Sequence, residues 1–288
     1  MQVKVAVICL CYNHEKYVQE AMQSVLDQTY PTELIVVDDA STDKSVRKIS
    51  DFIDLHPYIN IKTLFLKDNV GNCKAFNKAL KLTDADYIID LASDDRLLPK
   101  RVEEGVKNME KHPHVAVNFT NANYIYEQKV LLKPHYKIDQ YGHSTVVVPE
   151  GELFHHILAR YFICSPSMMY RSSFLKEVGG YDEDLAYEDF DIMLRLSRKH
   201  PFSFTDEILV EKRVLSNSMS HNQYKKNNQQ LSSTLKICYK AFDMIQTKRE
   251  KKALLKRIIY EAKQAFLHKR FILFFAFINL AFKTILQK

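Results

Sequence analysis

A chain of 288 residues, 46% hydrophobic and 26% charged, has the composition of a soluble globular protein with room for one domain or one domain with an appendage. Its five cysteines are scattered, without metal-ligand spacing or a CxxC pair, which points to free thiols in a reducing compartment and away from a cysteine-built metal site. The net charge of +6 is uneven: residues 1–221 carry 26 Lys+Arg against 32 Asp+Glu, and residues 222–288 carry 15 against 3, so the C-terminal part is expected to meet an anionic surface, nucleic acid or membrane.

In chain order, Val3–Leu10 is a continuous apolar, β-branched run, the pattern of a strand covered on both faces; it is too short for a secretory signal. Glu15–Gln28 has helical spacing, with Tyr17, Ala21, Val25 and Leu26 on one face. Leu34–Asp39 is a second buried strand, and Ser41, Thr42 and Asp43 are suited to cap a helix reaching about Leu55. Ile59–Leu66 reads as a strand, Gly71–Leu82 as a helix and Tyr87–Ala92 as a strand. Pro99 leads a helix to about Lys111, and Val115–Tyr124 is another strand. This βαβα order predicts a Rossmann-like, mostly parallel sheet flanked by helices. Helices follow over Glu150–Arg160, Ser172–Val178 (stopped by Gly179-Gly180) and Glu188–Lys199, with strands at Ser167–Tyr170, Phe202–Thr205 and Ile208–Val214. From about Asn222 the chain reads as helix to its end, without Gly or Pro.

Three acid clusters stand where strands end: Val36–Asp43, Leu91–Asp95, and the YEDFD run from Tyr187. Two unit charges ~4 Å apart at an effective dielectric of ~20 repel by about 4 kcal/mol, so paired carboxylates need water, donors or a cation to compensate. Open α/β sheets bind ligands beyond the carboxyl ends of their strands, which places the clusters on one cleft.

Several ordered segments resemble the family 2 inverting glycosyltransferases of the GT-A fold, over about Val3 to Ser220. They are VAVICLCYNHEKYVQEAMQSVLDQTY, IVVDDASTD, NVGNCKAFNKAL, LASDDRLLP and GGYDEDLAYEDFDIMLRL. The resemblance implies a catalytic domain over 1–221, with a nucleotide-sugar half (1–98) and an acceptor half (99–221), followed by a helical tail over 222–288. It implies nucleotide contacts from Tyr12, Asn13, Asp38, Asp39, Asn69, Asn77 and Asp94, with Asp39 accepting the imide N–H of uracil. It implies a divalent cation, Mn2+ or Mg2+, on Asp95 with Asp94 beside it; the first acid of that motif is replaced here by Ser93 or Ala92. Asp189 becomes the base that deprotonates the acceptor, with Glu188 or Asp191 positioning it. The local alternatives are helix capping for Ser41 and Asp43, a solvated loop for Asp94 and Asp95, and a dipole-favoured acidic first turn for Asp189. The family's Arg-x-His histidine is missing, because Arg213-Val214-Leu215 stands there; His221 is a substitute to consider. His112, His114, His135, His155 and His156 lack ligand spacing and read as surface or core residues.

The implied function is transfer of a sugar from a nucleotide-sugar donor, a UDP-sugar by preference, to a saccharide or lipid-linked acceptor, in bacterial surface polysaccharide synthesis. Acceptor and sugar would be read by the Tyr126–Pro149 loops. In Ala253–Arg270 the apolar set Leu254, Leu255, Ile258, Ile259, Ala262, Ala265 and Phe266 has helical spacing. Phe271–Phe282 then gives about 18 Å of apolar helix, too short for a hydrocarbon core of about 30 Å. With its basic lead-in, 251–288 reads as an interfacial anchor at the cytoplasmic membrane face, the other reading being packing on the catalytic domain or in a homo-oligomer. A nucleotidyltransferase would show a Gly-rich basic loop where CYNHEKY stands. A nucleic-acid binder would have single aromatics interleaved with basic residues in its tail, which here ends Phe/Leu/Ile-rich.

Overall fold

The computed structural model describes residues 2–126, 129–215 and 228–287. The first half runs β1 (Val5–Cys11), α1 (Val18–Leu26), β2 (Thr32–Asp38), α2 (Ser45–Leu55), β3 (Ile61–Phe65), α3 (Asn72–Leu80) and β4 (Tyr87–Ala92). The second half runs β5 (Arg96–Leu97), α4 (Arg101–Lys111), β6 (Val117–Tyr126), β7 (Lys129–Pro134), α5 (Phe154–Ala159), β8 (Met169–Arg171), α6 (Ser172–Glu177), α7 (Asp189–Ser197) and β9 (Phe202–Val214). Three helices follow: α8 (Gln230–Met244), α9 (Lys248–Leu267) and α10 (Phe271–Leu286).

The strands form one sheet in the order β3-β2-β1-β4-β8-β6-β9-β5, with β7 on β6. The expected parallel order holds from β3 through β4. Beyond β4 the sheet is mixed, because the short β8 inserts antiparallel between β4 and β6, while β6 and β9 pair parallel. β1 shows why its sequence is continuously apolar. Val5, Val7 and Cys9 pack with α1, α2 and α4, and Ala6 and Ile8 join the larger core on the other face. All five cysteines are buried and free.

Two expected strands, Phe202–Thr205 and Ile208–Val214, are one long strand whose register against β6 shifts between Thr205 and Val210. The helix expected from Glu150 begins at Phe154. Among the described residues the expected unbroken C-terminal helix is three helices, and its expected start at 222–227 lies outside them. One break is made by a Thr247–Glu250 capping box, the other by Lys269 in the left-handed region (φ 56°). Leu231, Ile237, Leu254, Ile258, Ala262 and Phe277 of these helices are buried in the same core as Phe190 and Leu158. On α9 the buried stripe also takes in Arg257, whose guanidinium lies over the Phe190 ring and donates to the Leu158 carbonyl, whereas Ile259 and Phe266 of the expected apolar face are exposed.

Candidate active site

Adjacent parallel strands deliver the first two acid clusters to one edge. Cys11 lies opposite Asp38 and Leu10 opposite Ala92, so the turns after β1, β2 and β4 leave the sheet side by side. Asn13 adopts φ 57°, a conformation asparagine tolerates better than most residues. Its side-chain carbonyl accepts from the Thr42 amide at 2.8 Å, and its own amide donates to Ser41 Oγ at 2.9 Å. Asp43 accepts from the Glu15 and Ser45 amides, at 3.0 and 2.8 Å. The polar residues expected to cap α2 thus stitch the β1 turn to the β2 turn, and α2 starts later, at Ser45, without a side-chain cap on its N-cap residue Lys44. Tyr12 is 45% exposed at this edge.

Asp38 is buried; its Oδ1 accepts from the Ser41 amide, and its buried Oδ2 has no hydrogen-bond partner among the described residues. Leaving such an oxygen unsatisfied is costly, and a ligand donor would relieve it. Asp39 is also buried, and its two oxygens accept from the amides of Val70 and Gly71, at 2.8 and 2.9 Å. Gly71 has φ +86°, which a side chain would strain, so this clamp explains the turn glycine. Asn69 is exposed just before the clamp. Asn77 is elsewhere: its amide donates to the Tyr181 carbonyl and to Glu183 and accepts from the Tyr181 amide, holding α3 to the 180–183 turn. A Cβ on Gly180 would meet Asn77 Oδ1 at 2.6 Å, so that turn needs glycine too.

Asp94 and Asp95 follow β4. Asp95 is 5% exposed and accepts from the Arg213 amide at 2.7 Å; burial, then the neighbouring Asp94, push its carboxyl well above the ordinary range. Arg213 Nε donates to the Asp94 carbonyl, and its guanidinium is paired with Glu20 at 2.6 Å and stacked over Tyr17. His14 Nδ1 lies 2.9 Å from Ser93 Oγ and 3.8 Å from Asp94 Oδ1. Among the described residues no group of three or more His, Cys, Asp or Glu could hold a cation by itself. Two carboxylates suit a hard divalent ion that takes its remaining oxygens from substrate phosphates and water, so the residues present fit Mg2+ or Mn2+.

The third cluster forms at the start of α7. Asp189 Oδ2 accepts from Ser165 Oγ at 2.9 Å and from the Tyr161 hydroxyl, and its Oδ1 accepts from the Phe190 amide at 2.7 Å. Glu188 accepts from Asn72 Nδ2 at 2.5 Å, and its carboxyl is pushed up by burial, then by Asp189 and Asp90. Asp90, inside β4, accepts from the Tyr181 hydroxyl at 2.8 Å and is likewise pushed up by burial. Asp191 points away: it is buried and paired with Arg195 at 2.6 Å and Lys240 at 2.7 Å. That pairing ties α7 to α8 and leaves Glu188 as the acid beside Asp189. A carboxyl whose pKa rises on folding destabilises the fold once pH exceeds its unfolded value. Glu188→Gln should therefore raise the melting temperature more at pH 8 than at pH 4, as a pH series of thermal melts would record; an unchanged or lowered value at pH 8 would show that Glu188 is stabilised as an anion.

Sequence reasoning missed four residues here. Asp90 had a signal, an acid within an otherwise apolar strand. Tyr161 and Ser165 had none, because they reach Asp189 from a loop 24 to 28 residues away. Lys212 on β9 is partly buried and feels the fields of both Asp95 and Asp189, and its ammonium has no hydrogen bond or ion pair among the described residues. His135 is a packed residue, held by Tyr124 and the Phe162 carbonyl; His112 and His114 are exposed, and His221 lies outside the described residues.

The family model for Glycosyl transferase family 2 matches residues 6–179, more than half of the chain. An uncharacterized glycosyltransferase of Methanocaldococcus jannaschii is 28% identical over 243 residues, 82% of this chain and 79% of that one. Another, from Rickettsia typhi, is 29% identical over 73% of this chain and 64% of its own length. Among solved structures, S. aureus TarS 1-349 in complex with UDP-GlcNAc superposes with a TM-score of 0.70 at 21% identity, over 89% of this chain and 72% of that one; a longer TarS chain is covered over 43%. The mannosyltransferase PcManGT of Pyrobaculum calidifontis, in complex with GDP-Man and Mn2+, gives a TM-score of 0.63 at 14% identity, over the whole of this chain and 88% of that one. These likenesses carry the GT-A fold, and with the family match they show that the chain belongs to glycosyl transferase family 2.

Proposed function

We propose that this chain transfers a sugar from a nucleoside diphosphate, UDP in preference to GDP or dTDP, to a hydroxyl of a saccharide or lipid-linked acceptor, with inversion, in bacterial surface polysaccharide synthesis. The observation that carries the reading is an unsatisfied Asp38 oxygen and the Asp94–Asp95 pair on one sheet edge, with Lys212 in the fields of both Asp95 and the anchored Asp189. The UDP-GlcNAc held by TarS, and the GDP-Man and Mn2+ held by PcManGT, support it on the same fold.

Asp38 and Asp39 would hold the base, with Asp39 oriented by the Val70 and Gly71 amides and its remaining lone pairs turned to the uracil imide. Tyr12, Asn13 and Asn69 would add further contacts to the nucleotide. A divalent cation at Asp94 and Asp95 would supply charge neutralisation for the departing diphosphate. Ser165 and Tyr161 would hold Asp189 so that it takes the proton from the acceptor hydroxyl as that oxygen attacks the anomeric carbon. Lys212, which feels the fields of both Asp95 and Asp189, would add a positive charge where the leaving group gains its negative one. Calorimetry tests the donor half: UDP should bind more tightly with Mn2+ than with EDTA, and more tightly than GDP. Equal binding of all nucleotides, with or without metal, would overturn it.

The C-terminal helices would rest on an anionic membrane at the cytoplasmic face. No helix among the described residues is long and apolar enough to cross a membrane. α10 buries Phe277 and Leu280 but leaves Ile272 87%, Phe275 65% and Leu286 78% exposed. Removing the helix would uncover core, so point substitutions test the idea better. Ile272→Asp with Phe275→Asp should cut partition into anionic vesicles by about tenfold or more, since each apolar side chain withdrawn from lipid forfeits about 1.5–3 kcal/mol. Unchanged partition, with loss of a dimer instead, would make this face a subunit contact.

A further inference from the structure

Beside the carboxylate edge lies a groove of about 1160 Å³, walled by residues of the 135–149 segment on one side and by α5 and α9 on the other. Tyr161 lines it, and the Tyr161 hydroxyl is a donor to Asp189, so one lining side chain reaches the proposed base. Its charge is one-sided. Arg160, Arg249, Lys252 and Lys256 line it, and none of them has a hydrogen bond or ion pair from its side chain among the described residues. Among the described residues no Asp or Glu lines it. Glu250, next to Arg249, is taken up by Arg198 and by the Gln246 amide. On α9, Arg249, Lys252 and Lys256 follow the three- and four-residue spacing that sets side chains on one helix face. His155 and His156 in the same wall are pushed below the usual histidine range, by burial first and then by cationic neighbours including Arg249. Like charges gathered without a counter-charge favour an anionic occupant.

The other half of the lining is aliphatic. Val146, Val147, Val148, Leu255 and Ile259 line the groove, with Val147 96% and Ile259 62% exposed. A free phosphate would use the cations and leave this wall idle. A neutral glycan would use neither. An anion carrying an apolar chain uses both.

We propose that this groove holds the acceptor as a lipid phosphate, a saccharide joined through phosphate or diphosphate to an aliphatic chain. The phosphate rests among Arg160, Arg249, Lys252 and Lys256, the chain lies on the Val146–Val148 and Ile259 wall, and the sugar hydroxyl points toward Asp189. This deepens the glycosyltransferase reading above and rests on it.

Calorimetry on the full chain in EDTA and excess UDP, with farnesyl phosphate, farnesol and inorganic phosphate as probes, tests the assignment. EDTA keeps the probes from binding through a metal, and UDP occupies the donor side. Farnesyl phosphate should bind more tightly than either part alone. Lys252→Glu with Lys256→Glu should weaken it by about tenfold or more, the scale of a lost charge-assisted contact, while UDP affinity in Mn2+ stays native and reports an intact fold. Farnesyl phosphate binding that ignores the double substitution, inorganic phosphate binding as tightly as farnesyl phosphate, or farnesol doing so, would each overturn the lipid-phosphate assignment. Failure of the native chain to bind UDP is a separate result: it removes the donor reading whatever the groove binds.

Discussion

Asp189→Asn should lower turnover by about 10²–10⁴-fold, the usual loss with a general base, while donor affinity stays near native. The substitution is nearly isosteric, and the site tells what it preserves. An asparagine keeps an oxygen for Ser165 Oγ and the Tyr161 hydroxyl, or for the Phe190 amide, and removes the charge that accepts a proton. It also relieves Glu188 and Asp90 of a like charge, so stability should not fall. Turnover and UDP affinity measured side by side check this. A parallel collapse of donor binding would mean that Asp189 holds the nucleotide or the fold.

Asp95→Asn should reduce turnover by about 10²–10³-fold or more, the scale of removing one group that stabilises transition-state charge, and should weaken UDP binding chiefly when Mn2+ or Mg2+ is present. Asp95 is buried beside Asp94, a placement that raises its carboxyl and costs stability unless a cation or a proton is supplied. Asparagine keeps the contact to the Arg213 amide and removes the repulsion, so the metal-free variant should melt no lower than the native chain. Undiminished transfer by the native enzyme in excess EDTA would remove the cation from the reaction.

The sequence carried the first half of the fold because each strand there is a short β-branched run with a marked stop. The acid clusters were legible for the same reason, since each closes a strand or opens a helix. The residues that serve them were not. Ser165 and Tyr161 reach Asp189 through tertiary contact, and Lys212 sits on a strand of mixed polar and apolar residues with no sign of which side chain meets the acids. Asn77 and Asp191 had the right identity and spacing, but their hydrogen-bonding capacity is committed to the 181–183 turn and to Arg195 and Lys240. The breaks between the last three helices escaped notice because a threonine capping box and a left-handed lysine make them, without glycine or proline.

Which bond of the donor breaks, and on which face of the sugar, tests the central claim most directly. With water as the only acceptor, the full chain, Mn2+ and an α-linked UDP-sugar, proton NMR in the first minutes should show UDP and the β-anomer of the free sugar, which then mutarotates. Release of UMP with the sugar 1-phosphate would mark chemistry at phosphorus, as in the nucleotidyltransferase alternative, and release of the α-anomer first would rule out a single displacement at the anomeric carbon.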